Sequence, residues 1–502
     1  MLRAILAFSA LGLSLVLARG MPLAARAGVP PTARARYAAR RAAAYDRLGS
    51  NLLVVSSRWA PASARQAGFD QDATFYYFTG AERLIGAILV LDGATRRAEV
   101  FVQKPSPGSL AAMSQADLGT DRAASLGVDR VSDWEAFVPY VEQWLGGHPR
   151  AVMFVDDGGI EATFAGTLAT PFDSLAALAN PHAAIGAALR TRWPNAAIAS
   201  DTVVAPVLRA VKDSSEIAVI RRVAANSVAA FLAGLPRVGP GRHQRDVEAA
   251  VVETCTRLGD GPSFWPWAMS GPNAAFPAPF TAFFDPHSLD REMKSGEVVR
   301  YDLGCKADGY MGDVGRTLPV TGTFTRDQRE VVDLLVAAYR AGLSTIRDGA
   351  EGEAGLLRAS AVEAARRRPA MRTPLGRHAA ALLSEPDSLP FWQAHGIGLD
   401  IAERLPRVLR AGMVLDYEPI FVVDGQGFYM EDMILVTKTG YEILTRGLPS
   451  TAAEIEQAMR RRRPVTSPTT SSTPDSSPGA RSPERRRFSV RFSSMRADRF
   501  AD

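Results

Sequence analysis

Apolar positions along this chain fall into short runs closed by Gly, Pro or Asp, and only some stretches carry the 3.6-residue spacing of an amphipathic helix. An uncharged apolar run from Ala4 to Ala18 follows Met1-Leu2-Arg3 and precedes Ala25-Arg26-Ala27. A charged start, a hydrophobic segment and a small-x-small site make residues 1–27 a secretory signal peptide, which predicts a periplasmic or secreted protein. No later segment is expected to be long and apolar enough to cross a bilayer, so the mature chain should carry no integral span. The Ala- and Arg-rich stretch from Thr32 to Arg47 predicts a helix, and Asn51 to Val55 a strand. Phe69-Asp70-Gln71-Asp72-Ala73-Thr74-Phe75-Tyr76-Tyr77-Phe78-Thr79-Gly80 reads as an aromatic strand stopped by glycine. Ile85 to Leu91 and Ala98 to Val102 flank Asp92-Gly93 as a hairpin. Strands and helices alternate to about Val204, which makes residues 28–204 an α/β domain.

A boundary at Ala205-Pro206 precedes a helix with Ser214 as its N-cap and a stripe at Ile217, Ile220, Ala224, Val228 and Phe231. Helices, a hairpin, more helices and a second hairpin then give residues 205–459 an α+β character. From Arg460-Arg461-Arg462-Arg463 onward, residues 460–502 form a Pro-, Ser-, Thr- and Arg-rich tail with too few apolar side chains to fold, a disordered extension. The tail holds eleven Arg against four acids, so the net charge of +5 is a property of the tail and the body is mildly acidic. That balance excludes a basic nucleic-acid groove in the body. Cys255 and Cys305 are too few for a disulfide framework and are expected to be buried free thiols.

The chemistry lies in two predicted hairpins. Val298 to Asp302 pairs with Tyr310 to Val320, and a two-residue turn at Ala307-Asp308 would set Asp302 directly opposite Asp313. Met413 to Val423 and Phe428 to Val436 flank the strong turn signal Asp424-Gly425, which pairs Glu418 with Glu431. Opposed carboxylates repel in an ordinary sheet, and two such pairs with a lone imidazole, His395, between them in the chain call for cations. Four carboxylates balance two divalent ions. An oxygen-rich set with one nitrogen suits a hard metal such as Mn²⁺, and a dinuclear centre points to metal-assisted hydrolysis.

Asp302-Leu303-Gly304, Gly312-Asp313-Val314-Gly315-Arg316-Thr317, His395-Gly396-Ile397-Gly398, Glu418-Pro419 and Glu431-Asp432 together resemble the pita-bread metallopeptidases, the group of creatinase, aminopeptidase P, prolidase and methionine aminopeptidase. Ser270-Gly271-Pro272-Asn273 matches a loop upstream of the metal strands, and Phe69 to Gly80 resembles the amino-terminal domain of aminopeptidase P. The resemblance covers about residues 40 to 455 and implies a creatinase-like amino-terminal domain before a pita-bread catalytic domain. It implies that Asp302 and Asp313 hold one metal, that Asp313 and Glu431 bridge, and that His395 and Glu418 complete the other. A water shared by the metals would become the nucleophile, with Glu418 as proton shuttle. The implied substrate is a peptide with proline in second position. The alternatives are a prolidase-like dipeptidase and a catalytically weakened, metal-stabilised peptide-binding protein; the oligomeric state is left open. Two family histidines are missing, their places taken by Ala278 and Ala402, and Tyr429 stands where an arginine is usual. His287 is the candidate replacement and His378 a weaker one. His148, His182 and His243 read as structural or exposed.

Overall fold

The computed structural model describes residues 28–58, 70–156, 181–275, 289–385, 387, 389 and 393–460. The expectations for the signal peptide and nearly all of the tail fall outside this range. In the amino-terminal region, strands β1 (Leu52–Ser56), β2 (Ile88–Asp92), β3 (Arg97–Val102), β4 (Arg130–Asp133), β5 (Met153–Val155) and β6 (Ile198–Ser200) form one sheet of order β4-β3-β2-β1-β5-β6. The β1–β2 and β2–β3 pairs are antiparallel and the others parallel, with helix Pro31–Leu48 before β1 and helices Phe137–Gly147 and Pro181–Arg192 in the connections.

The aromatic segment is not a strand. Ala73–Thr79 is helical, because Asp72 accepts a hydrogen bond from the Phe75 amide at one end and Gly80 adopts a left-handed φ of 67° at the other. Phe75 and Phe78, three residues apart and so on one face of the helix, are fully buried. Aromatic content favours a strand, but the cap signals at both ends, Asp72 and Gly80, decide for a helix. Gln71 braces this corner by donating to the carbonyls of Ala81 and Leu84, at 3.3 and 2.8 Å.

The second region is built on antiparallel strands: β7 (Gly261–Pro262), β8 (Trp267–Ser270), β9 (Val298–Leu303), β10 (Cys305–Ala307), β11 (Tyr310–Met311), β12 (Val314–Pro319), β13 (Ala394–Gly396), β14 (Val414–Tyr417), β15 (Ile420–Val423), β16 (Gln426–Val436) and β17 (Tyr441–Ile443). The main sheet runs β13-β14-β16-β12-β9-β8, with β15 and β17 also on β16; β7, β10 and β11 form a small sheet beside it. One face carries Val299, Tyr301, Leu303, Val314, Leu318, Leu415, Tyr417 and Ile434 into a core with Val331, Leu335 and Tyr339 of helix Arg326–Leu343 and Leu356 of helix Glu353–Arg367. The opposite face is free to carry polar groups.

Helix Ser214–Gly234 keeps its predicted stripe, with Ile220, Ala224 and Phe231 fully buried, but its cap is Asp213, which with Glu216 forms a capping box. By length and composition the segment Ser214–Arg237 could cross a bilayer, contrary to the expectation from sequence. Its place is the protein core, where Phe231 packs on Tyr301 at 4.8 Å between ring centroids. The two cysteines are also not free thiols: Cys255, on helix Gln244–Leu258, is bonded to Cys305 of β10, with Cα atoms 5.1 Å apart. Their separation of 50 residues carried no sign of this, because only the packing of that helix on the small sheet brings them together.

Candidate metal centre

The hairpin of Asp302 turns one residue later than its sequence suggested. Pairs Ala307↔Tyr310, Val314↔Leu303 and Gly315↔Asp302 centre it on Asp308-Gly309, whose φ values of 50° and 78° suit the turn type that Asp-Gly favours and Ala307 would resist. Asp302 therefore faces Gly315, and Asp313 lies one row further along, at a break in the strand ladder where Gly304 and Gly312 meet. A Cβ at Gly304 would sit 1.6 Å from the Gly312 carbonyl oxygen, so that crossing needs glycine. The expected direct opposition of Asp302 and Asp313 is thus a diagonal one. Shifting the centre by one residue moves the pairing by two, so both acids stay on the same face, in hydrogen-bonding contact.

The second hairpin keeps its predicted register. Asp424 and Gly425 have φ values of 47° and 75°, and Val423↔Gln426 through Val414↔Leu435 share one centre, which sets Glu418 level with Glu431. The ladder lapses at Glu418-Pro419, where the Glu418 amide instead donates to the Gln393 carbonyl at 2.9 Å. Since Gly315 also pairs with Glu431, one row across the sheet reads Asp302, Gly315, Glu431, Glu418. The same registers extended by two residues give a second row, Asp313, Met433, Asp416, His395. All polar members project from the face turned away from the helical core.

Asp313, His395, Asp416 and Glu431 each offer a ligand atom within 4.8 Å of the others, and all four are buried. Glu418 Oε1 lies 3.2 Å from His395 Nε2, and its side chain is 15% exposed. Glu418 and the partly exposed Asp302 form the rim of the site over a floor of Asp416 and Glu431. His395 is aimed by its Nδ1–H, which donates to the Gly396 carbonyl at 2.9 Å and leaves Nε2 for the cluster. The Tyr429 hydroxyl donates to Glu431 Oε2 at 2.6 Å and approaches Glu418 Oε2 at 3.4 Å, its ring lying over Gly315 where a Cβ would clash. The residue that replaces the usual arginine thus serves the acids directly.

Burial pushes the Asp302 carboxyl up to about 7, against the pull of Arg300. Asp313, Asp416 and Glu431 are held well above the usual carboxylate range, first by burial and then by one another and by Asp302 or Glu418. Burial alone would lower His395, but the Glu418 hydrogen bond and the charges of Glu418 and Glu431 raise it to about 9. Among the described residues, Asp302 Oδ1, Asp313 Oδ1, both Asp416 oxygens and Glu431 Oε1 are buried with no hydrogen-bond partner. A protein does not gather orphaned carboxylates for structure alone, and the donor set fits hard divalent cations.

The motif residues between the acids have structural work. Arg316 donates to Asp432 at 2.9 and 3.0 Å across β12 and β16, and Tyr339 and Thr445 donate to the same carboxylate at 2.9 and 2.7 Å. This saturated ion pair locks the strand that carries Glu431 from the opposite face. Asp416 escaped the sequence reading, although the alternation Asp416-Tyr417-Glu418 in a strand places it beside Glu418. His287 and Ala278 lie outside the described residues. His378 pairs with Asp424 at 2.8 Å at the hairpin tip, His148 stacks on Trp144, and His243 caps a helix and contacts Asp290; none joins the cluster. Ala402 sits in a loop pinned by Glu403 to Arg209 and Lys212, at 2.7 and 2.5 Å.

Residues 218–438 match the metallopeptidase family M24. The chain is 28% identical over 277 residues to the Xaa-Pro aminopeptidase of Escherichia coli K12, a match covering 50% of this chain and 60% of that protein. It is 29% identical over 286 residues to Xaa-Pro aminopeptidase 2 of Streptomyces coelicolor, covering 51% and 57%. The matches thus span about 60% or less of the curated relatives' length. The structure of zinc-substituted E. coli aminopeptidase P in complex with product shares the fold, with TM-score 0.63 and 24% identity over 86% of this chain and 99% of that one. The expected architecture, an aminopeptidase P-like amino-terminal domain followed by a pita-bread domain, is thereby established.

Proposed function

We propose that this chain, whose residues 218–438 match metallopeptidase family M24, is a dinuclear-metal exopeptidase removing the amino-terminal residue from peptides with proline in second position. The observation that carries the reading is the convergence of Asp302, Asp313, His395, Glu418 and Glu431 on one sheet face, with orphaned carboxylate oxygens pointing inward. The names of the E. coli and Streptomyces relatives support the substrate class.

These five residues would hold two divalent cations, Mn²⁺ by the hardness of the set. Bound there, the ions would polarise the scissile carbonyl and acidify water. Glu418, at the rim, takes up a proton on its carboxylate and returns it to the leaving amine. Tyr429 holds Glu431 in one orientation, and the Gly396 carbonyl does the same for His395. With Ala402 in place of a donor to the developing oxyanion, turnover is expected to be slower, since one such donor is worth about 10²–10³ in rate. The Cys255–Cys305 bridge supports an oxidising compartment and so the exported location proposed from residues 1–27.

The test is release of the amino-terminal amino acid from X-Pro-Y tripeptides and longer X-Pro peptides by the full chain loaded with Mn²⁺. Cleavage confined to X-Pro dipeptides would assign a prolidase-like enzyme, and binding without turnover a metal-stabilised binding protein. In the same assay Tyr429→Phe is expected to lower kcat about 10- to 100-fold, the usual cost of losing a partner that orients a metal-binding group. A loss under twofold, with the fold intact by circular dichroism, would show that the Tyr429 hydroxyl is incidental.

A further inference from the structure

Asp416 and Asp432 are both buried acids, on neighbouring strands and opposite faces, and the contrast between them is informative. Asp432 is 2% exposed and saturated, bonded to Arg316, Tyr339 and Thr445. Asp416 is fully buried, and neither of its oxygens has a hydrogen-bond partner. A structural carboxylate would look like Asp432, because an uncompensated buried charge is strongly destabilising. Asp416 is instead the direct cross-strand neighbour of His395, two residues before Glu418 on the same face, with a ligand atom within 4.8 Å of those of Asp313, His395 and Glu431.

We propose that Asp416 is a sixth protein ligand of the metal centre, seated beside His395, so that five carboxylates and one imidazole hold the two cations. The inference rests on the metal-centre reading above and adds to it a residue that the five-ligand pattern lacks. Five carboxylates exceed the charge of two divalent ions by one, and the offsetting cation is at hand. Arg300 lies two residues before Asp302 on the same face of β9, is 1% exposed, and has Asp302 as its main electrostatic partner. The surplus acid and the buried guanidinium belong to one charge-balanced set. A further carboxylate also makes the centre harder and more anionic, which raises its affinity for Mn²⁺.

The test uses the full chain, stripped of metal and titrated with Mn²⁺ by calorimetry, with electron paramagnetic resonance of the loaded protein. The wild type is expected to bind two Mn²⁺ per chain. Asp416→Asn, which keeps the shape and removes the charge, should weaken one of the two sites at least 10-fold and alter the spectrum. Two Mn²⁺ bound within twofold of wild-type affinity, with an unchanged spectrum, would overturn the proposal. A crystal structure of the Mn²⁺-loaded wild type tests it without any substitution. Asp416 within ligand distance of an ion, about 2.0–2.6 Å, supports it, and Asp416 beyond that range overturns it. A wild type that binds no Mn²⁺ overturns the metal-centre reading itself, an outcome distinct from two ions bound without Asp416.

Discussion

Glu418→Gln is expected to lower kcat on an X-Pro-Y peptide by about 10²–10⁴, the range in which positioned acid–base groups act, while leaving the fold in place. The substitution is nearly isosteric, and the backbone that sets the side chain is held elsewhere, by the Glu418 amide on the Gln393 carbonyl and the Ile420 amide on the Gln393 side chain, each at 2.9 Å. What glutamine cannot do is carry a proton between water and a leaving amine, or offer a full negative charge to a cation. Of the five predicted ligands, Glu418 and Asp302 reach the rim of the site, and Glu418 is the one touched by both His395 and Tyr429. The effect should appear in kcat more than in KM, since the group acts on the reacting atoms and not on the remainder of the peptide. Steady-state kinetics of the Mn²⁺-loaded variant decide it: a loss below about tenfold would remove Glu418 from the proton path.

The sequence revealed more of this site than of the scaffold around it, and the reason is turn chemistry. Asp424-Gly425 announced its register without ambiguity, and everything from Val414 to Leu435 followed from it. Asp308-Gly309 is the same signal, but the chain between Leu303 and Val314 is interrupted by the Gly304–Gly312 crossing, so counting inward from the two acids misplaced the turn. The face survived the error because side chains alternate with a period of two. Buried helices were harder to read. The segment Ala73–Thr79 has strand-like composition, and only its capping residues, Asp72 and Gly80, mark it as helical. The disulfide and the Asp70–Lys306 ion pair, which ties the amino-terminal region to the small sheet, join residues far apart in sequence and leave no local trace. Asp416 is a different case. Its position was readable from strand alternation, but its importance was not, because only the structure shows a carboxylate with no partner.

Removing the metal should make stability fall as pH rises, the reverse of what an ordinary acidic protein shows over the same range. In the metal-free chain Asp302 titrates near 7 instead of near 3.8, and Asp313, Asp416 and Glu431 are shifted the same way. A carboxyl raised on folding contributes stability that is complete below its unfolded value and is lost as pH rises through its folded value. His395, raised from 6.5 to about 9, obeys the same sign, its contribution complete below 6.5 and lost toward 9. The carboxylates most strongly depressed on folding, Asp213, Glu363 and Glu403, sit near 2, and the others that are lowered, such as Glu297 and Glu330, start from an ordinary value below 5, so their opposing contribution is lost in acid and hardly changes between pH 5 and 8. Chelated protein should therefore melt at progressively lower temperature from pH 5 to pH 8. Cations reverse this, because they bind the ionised carboxylates and the neutral imidazole and so bind more tightly as pH rises. At a hundredfold excess of free ion over Kd, binding adds about 2.7 kcal/mol per site, or roughly 5–10 °C in a domain of about this size. The gap between Mn²⁺-loaded and chelated melting temperatures should thus be small at pH 5 and widest at pH 8. Calorimetric melts at both pH values, with and without chelator, read this directly. A gap that stayed constant or narrowed would mean that the buried acids do not face cations, since Arg300 and the His395 imidazolium are too few to balance all of them once they ionise.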